Sequence, residues 1–200
     1  MARSIARDHD AKRGQILATA ARVFAETGYD RTSMSQLAEA CGISKANIYH
    51  YYPGKDALLF DILDSYLSDL RDRVAEISGA GMSPEAHLRA VILEVLMAYQ
   101  GADDEHRVQI GAMAALPAER QAVLRSYQRD LVAQLADVLR QAAPDIFASD
   151  KRRLHAATMS VFGMLNWFYM WNREEGEAAR RDYADLVARL VLRGLPGLNG

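Results

Sequence analysis

The sequence predicts an all-α protein, and three observations carry that prediction. Apolar residues recur at helical spacing along almost the whole chain, as at Ile16, Leu17, Ala20, Ala21, Val23 and Phe24. No segment sustains the alternation of apolar and polar residues that a half-buried strand requires. Glycine, proline and Asp/Ser signals cut the pattern into pieces of helical length. The spacing predicts about nine helices, arranged as an N-terminal three-helix helix-turn-helix domain followed by a C-terminal helical bundle.

The first helix is expected from Lys12 to Glu26, with Gly28 placed where a left-handed C-terminal residue is wanted. Thr32 or Ser33 then offers a hydroxyl as the N-cap of a short helix ending near Cys41. Gly42 turns the chain, Ser44 caps a third short helix, and Pro53-Gly54 closes it before a long fourth helix from Asp56 to Ile77. Beyond the break at SGAGMS, helices are expected at 84–100, 104–116, 118–142, 150–174 and 178–194. The expected domains are residues 1–55 and 56–200.

Half of the 200 residues are hydrophobic and a quarter are charged, which suits a folded soluble chain. There is no run of about 18 uncharged apolar residues, and MARSIARDHD lacks the apolar stretch of a secretory signal, so a cytoplasmic location without a membrane partner is expected. Cys41 is the single cysteine, which leaves no internal disulfide and no multi-cysteine zinc site to build, and it reads as a small filler residue. Residues 1–60 carry 8 Lys/Arg against 6 Asp/Glu and the remainder 16 against 20, so a mildly basic head precedes an acidic body. The chain shows no G-x-S-x-G elbow, no phosphate-cradling glycine loop and no H-E-x-x-H, and the cluster Asp103 to His106 reads as a solvated stretch. Neither an enzyme nor a cofactor is expected.

Residues 32–52, TSMSQLAEACGISKANIYHYY, place two short helices around Gly42, with Leu37, Ala38, Ile43 and Ile48 spaced to pack together. That is a helix-turn-helix pattern. Its second helix must be narrow and polar on one face to lie in a major groove about 12 Å wide, and Ser44, Lys45, Asn47, Tyr49, His50 and Tyr51 supply that face. Thr32, Ser33, Tyr49 and Lys55 would flank the groove, where hydroxyls and an ammonium suit phosphate oxygens. Each residue alone has a structural alternative, a cap for Ser44 or Thr32 and packing for the HYY cluster; the joint spacing of about ten positions is what favours DNA. Arg3, Arg7, Lys12 and Arg13 form either a DNA-contacting arm or a solvated tail.

The stretch from Ile16 to Leu59 resembles the DNA-binding domain of TetR-type regulators, through ILATAARVFAETGYDRTSM and LAEACGISKANIYHYYPGKDALL and the landmarks Phe24, Gly28, Tyr29, Thr32, Ala38, Gly42, Tyr49 and Lys55. The resemblance implies that Thr32, Ser44, Tyr49 and Lys55 hold phosphates while Lys45, Asn47 and His50 face bases or the groove wall. Tyr52 departs from the pattern, standing where a buried phenylalanine is usual.

In the body, MSVFGMLNWFYMWNREEG concentrates Phe162, Trp167, Phe168, Tyr169 and Trp171 with three methionines in one expected helix, which must therefore be covered on more than one side. The resemblance implies a homodimer through the last two helices, with Phe168, Trp171, Leu186 and Leu190 at the interface. A cavity for a small-molecule effector is expected from Tyr66, Met97, Tyr99, Met113, Leu116, Tyr127, Phe162, Asn166 and Trp167, each of which has plain core packing as its alternative. Asn166, if buried, needs a hydrogen-bond partner. The expected function is a repressor that binds double-stranded operator DNA and is released by a small hydrophobic effector. The alternatives are a ligand-independent DNA-binding protein and a small-molecule binder whose helix-turn-helix does not bind DNA. The body also resembles TetR-type regulators of fatty-acid, sterol and phenylacetate catabolism, which implies an aromatic or fatty acyl-coenzyme A effector, with a free hydrophobic acid or drug as the other choice. Arg125, Arg129, Lys151, Arg152 and Arg153 are the cations available for its phosphates.

Overall fold

A computed structural model gives the fold of the chain and describes residues 2–147, 149–172 and 176–194, with side chains from residue 9 onward. The described residues form α1 (Ala2–Thr27), α2 (Met34–Ala40), α3 (Lys45–Tyr51), α4 (Lys55–Ala75), α5 (Pro84–Ala98), α6 (Asp103–Ala112), α7 (Ala118–Ala142), α8 (Pro144–Phe147), α9 (Lys151–Asn166), α10 (Phe168–Trp171) and α11 (Glu177–Gly194). A 3-10 turn, Met113–Ala115, follows α6, and no strand occurs among the described residues. None of these helices is long and apolar enough to cross a membrane.

The chain divides into two compact units, Met1–Leu67 with Gly101–Arg125, and Ser68–Gln100 with Ser126–Gly200. The first unit thus takes in the first half of α4 and residues 101–125, which the sequence reading assigned to the body. The first half of α4 buries Leu58, Leu59, Ile62 and Leu63, so its apolar face is part of that unit's core.

In the first unit, α1 packs on α6 and α2, and α2 packs on α3. Ile16, Ala20, Ala21 and Phe24 of α1, Leu37 and Ala38 of α2, and Ile48 of α3 are all buried. Local signals set the boundaries. Ser33 and Gln36 close a capping box at the start of α2, and Gly42 leaves the turn at φ +63°, a conformation only glycine adopts without strain. Ser44 caps α3, and Tyr52, in extended backbone, ends it ahead of Pro53.

In the second unit, α11 and α9 pack on α5 and on each other, and Leu88, Ile92, Leu96, Leu135, Leu139, Val161, Leu165 and Val187 are among its buried residues. Every expected helix is present, with four differences. The first begins at Ala2 rather than Lys12, the expected helix over 104–116 gives way after Ala112 to the 3-10 turn, a single turn α8 stands in the connection after α7, and the expected helix over 150–174 ends at Asn166 and resumes as α10. Residues 173 and 174 of that expectation lie outside the described residues. At the interruption the Tyr99 hydroxyl donates to Asn166 Oδ1 at 2.6 Å and the Tyr183 hydroxyl to the Met164 carbonyl at 3.1 Å. A tyrosine donor thus serves one of the carbonyls at the end of α9.

The turn between α2 and α3 makes a direct prediction. A Cβ at Gly42 would meet nothing within 4 Å, so Gly42→Ala should be penalised by backbone strain alone. A loss of about 1–2 kcal/mol in denaturant unfolding is expected. An unchanged midpoint would contradict the positive φ.

Candidate nucleic-acid interface

Seven residues make up α3, one buried, one half-buried and the rest exposed. Ile48 is fully buried, whereas Lys45, Asn47, Tyr49 and His50 are exposed, Tyr49 by 45%. Ser44 Oγ accepts the Asn47 backbone N–H at 3.1 Å, which orients the first turn and does not use the serine's own O–H. Tyr51 is half-buried, stacked on the His9 ring at 5.0 Å and meeting His50 edge-on at 5.7 Å. The exposed face therefore offers an ammonium, an amide, an imidazole and a phenol on one narrow rod, a set able to address both phosphates and base edges.

Two of the residues expected to hold phosphates are engaged inside the fold instead. Thr32 is 3% exposed and its hydroxyl donates to the Gly28 carbonyl at 2.8 Å. Lys55 Nζ donates to the carbonyls of Tyr29, Asp30 and Thr32 at 2.9, 3.3 and 3.3 Å, and lies 4.4 Å from the centre of the Tyr29 ring. An ammonium has three donors, and these carbonyls take them, because the backbone leaving α1 turns its oxygens toward the start of α4. In the chain without DNA, Thr32 and Lys55 thus serve the fold. Ser33 is exposed, but its hydroxyl serves the capping box with Gln36. Ser44 and Tyr49 keep the exposure that a phosphate contact requires. Of the expected arm, Arg3 and Arg7 lie outside the described side chains, and Arg13 is held by Asp61.

Sequence reasoning missed the acidic residues that organise this frame. Tyr29 donates to Asp56, and Tyr52, 5% exposed, donates to Asp61 Oδ2 at 2.6 Å. Arg13 reaches the same Asp61 carboxylate through Nε at 3.1 Å and Nη2 at 2.5 and 2.6 Å. Burial, reinforced by the neighbouring carboxylate, pushes the phenols of Tyr29 and Tyr52 up, so both remain donors. The available signal was Tyr52 itself, since a tyrosine in a buried place demands an acceptor.

The expected effector residues fall in both units. In the first, Tyr66 and Leu116 are buried and Met113 half-buried, and the Tyr66 hydroxyl lies 3.1 Å from His106 Nδ1. In the second, Tyr99 and Asn166 are brought together by their hydrogen bond, Phe162 is buried, and Met97 and Tyr127 are half-buried. The Arg71 guanidinium lies 4.6 Å from the centre of the Tyr127 ring. Trp167, expected in the cavity wall, is instead 57% exposed, because the helix breaks there. Phe168, expected to lose exposure on dimerisation, is already 2% exposed; it stacks on Tyr183 at 4.8 Å, with the Arg180 guanidinium 5.4 Å from its ring centre. Trp171, Leu186 and Leu190 are exposed. Of the five cations, Arg125 hydrogen-bonds Gln121 and Arg153 lies 3.6 Å from Asp150.

A family model described as bacterial regulatory proteins, tetR family, matches residues 16–62, and one described as tetracyclin repressor-like, C-terminal domain, matches residues 81–195. The fold is similar to that of a TetR-family transcriptional regulator from Bordetella parapertussis 12822, with a TM-score of 0.84 and 33% identity over 90% of this chain and 93% of that one. AibR, solved in complex with isovaleryl coenzyme A and operator DNA, is similar at a TM-score of 0.73 and 26% identity over 90% of this chain and 98% of that one. The HTH-type transcriptional repressor KstR2 of Rhodococcus jostii (strain RHA1) is 33% identical over 95 residues, 48% of this chain and 45% of KstR2. Curated relatives are thus matched over less than half of their length in cases such as KstR2 and, at 25%, YuxN of Bacillus subtilis (strain 168).

The two classes of residue should separate by mutation. Lys45→Ala and Tyr49→Ala are each expected to weaken binding to a selected DNA duplex by about ten-fold or more, with thermal melting unchanged. Lys55→Met should instead lower stability by about 2 kcal/mol through its lost charge-assisted bonds. Unfolding by Tyr49→Ala, or an unaffected melt in Lys55→Met, would contradict the division.

Proposed function

Because this chain belongs to the TetR family of bacterial regulatory proteins, we propose that it is a transcriptional repressor which binds double-stranded operator DNA as a homodimer and is released by a small-molecule effector. The observation that carries the reading is α3, capped by Ser44, anchored by Ile48 and open along Lys45, Asn47, Tyr49 and His50. The equally short α2 buries Met34, Leu37 and Ala38, whereas α3 buries Ile48 and leaves Lys45, Asn47, Tyr49 and His50 outward. The repressor acts in the cytoplasm, where the DNA is. Selection of duplexes from a random pool by the wild-type chain tests this, with a recurrent two-fold-symmetric sequence expected. Recovery of nothing above the starting pool would remove the DNA-binding reading.

Two recognition helices must stand about 34–36 Å apart to enter successive major grooves, so the dimer decides whether both can bind. Exposed Met170, Trp171, Leu186 and Leu190 of α10 and α11 support pairing through that part of the second unit, since large apolar side chains left in water mark an interface. Leu190→Arg is expected to give monomers and to abolish tight operator binding together, because a buried unpaired charge costs several kcal/mol. A wild-type monomer at micromolar concentration in sedimentation would end this part of the proposal.

The effector need only bind the DNA-incompetent arrangement more tightly; moving the population from 1:99 to 99:1 takes about 5.5 kcal/mol of differential affinity. The proposed class is an aromatic or fatty acyl-coenzyme A thioester. It is supported by the likeness to AibR and by the methionine and aromatic side chains of the second unit, such as Met97, Tyr99 and Phe162. Matched pairs of free acid and thioester, titrated calorimetrically and tested for release from the selected duplex, check it: the thioester alone should act. An equal response to both members would remove the coenzyme from the proposal.

A further inference from the structure

Seven residues with one fully buried side chain give α3 little capacity to hold its own direction. What fixes the two ends of the helix therefore fixes its aim. At the N-terminal end the Gly42 turn and the Ser44 cap join it to α2. At the C-terminal end stands Tyr52, whose hydroxyl reaches Asp61 on α4 at 2.6 Å. The same carboxylate, with 20% of its side chain exposed, receives the Arg13 guanidinium of α1 in a two-pronged contact. Three helices thus meet at one carboxylate, and one of the three presents the candidate DNA face.

We infer that Tyr52, Asp61 and Arg13 form a positioning clasp that sets the direction of α3 and thereby the discrimination between operator and unrelated DNA; this rests on the DNA-binding reading above. Swinging α3 about the Gly42 turn would stretch the Tyr52–Asp61 bond, and hydrogen bonds weaken steeply with distance and misalignment. The bond has an ionised acceptor already oriented by a bidentate arginine, which makes it stronger and more directional than a neutral pair. Base edges demand side chains placed to within about 0.5 Å, whereas phosphate contacts serve any sequence. Loosening the clasp therefore removes recognition and spares general attraction to the duplex.

The chemistry allows a clean test, because Tyr52→Phe keeps the ring in its slot and deletes the hydroxyl alone, and Asp61→Asn keeps the shape while weakening both arms. The full-length variants are titrated with two probes, the duplex selected by the wild-type chain and a shuffled duplex of equal length and composition. Tyr52→Phe is expected to lower affinity for the selected duplex by about ten-fold, the scale of one lost base contact, with the shuffled duplex affected by less than about two-fold. Asp61→Asn should do at least as much, and the double variant no more than Asp61→Asn, since both act through one group. A selected-to-shuffled ratio unchanged in both single variants, whatever their melting temperatures, would overturn the clasp and leave only a stabilising contact. A wild-type chain that selects no duplex would overturn the DNA-binding reading first, and the clasp with it.

Discussion

The ammonium of Lys55 is the constraint on which the first unit depends. Where α1 ends, its last carbonyls and those of the following loop have no helical partner, and helix ends in that condition must find donors elsewhere. Lys55 supplies them for Tyr29, Asp30 and Thr32, while Asp56, the next residue, accepts the Tyr29 hydroxyl. The end of α1 and the beginning of α4 are thereby fixed to one another. Both α2 and α3 are suspended between these fixed points: α2 starts directly after its cap Ser33, and α3 ends at Tyr52, three residues ahead of the lysine. A cation expected from the sequence to meet phosphates thus also builds the frame that presents the candidate DNA face.

Much of this was legible without coordinates, and the reason is that it is local. Ser33, Gly42 and Ser44 act on backbone groups within three residues of themselves, so their caps and turn could be read from spacing alone. The outward face of α3 follows equally from helical periodicity once Ile48 is taken as its inner residue. What could not be read is where long side chains end. Lys55 and Arg13 are flexible cations whose partners lie 23–26 and 48 residues away in sequence, and nothing in their immediate neighbourhoods announces those partners. Tyr52 carried half the information, the need for an acceptor; the identity of Asp61 is a tertiary fact.

The second unit shows the same limit. Hydropathy predicts one helix through Trp167, because aromatic and methionine residues run on from Met164 to Trp171 with neither glycine nor proline among them. At the break stand Tyr99, the C-cap of α5, and Tyr183 of α11, which donate to Asn166 and to the Met164 carbonyl, contacts that hydropathy does not show. The interruption turns Phe168 inward onto Tyr183 and leaves Trp167, Met170 and Trp171 outside. The expected cavity tryptophan thus stands in solvent and the expected interface phenylalanine is buried within the unit.

The composition of α3 also bears on how such a protein would find its target. Lys45 is the one lysine or arginine on that helix, Arg13 is neutralised by Asp61, and the Lys55 ammonium faces carbonyls. The remaining groups on the exposed face act through short hydrogen bonds that form only in register. With a single cation, α3 by itself would release few counterions on arbitrary DNA, and its contribution would lie in the matched site, where its amide, imidazole and phenol all find partners in register.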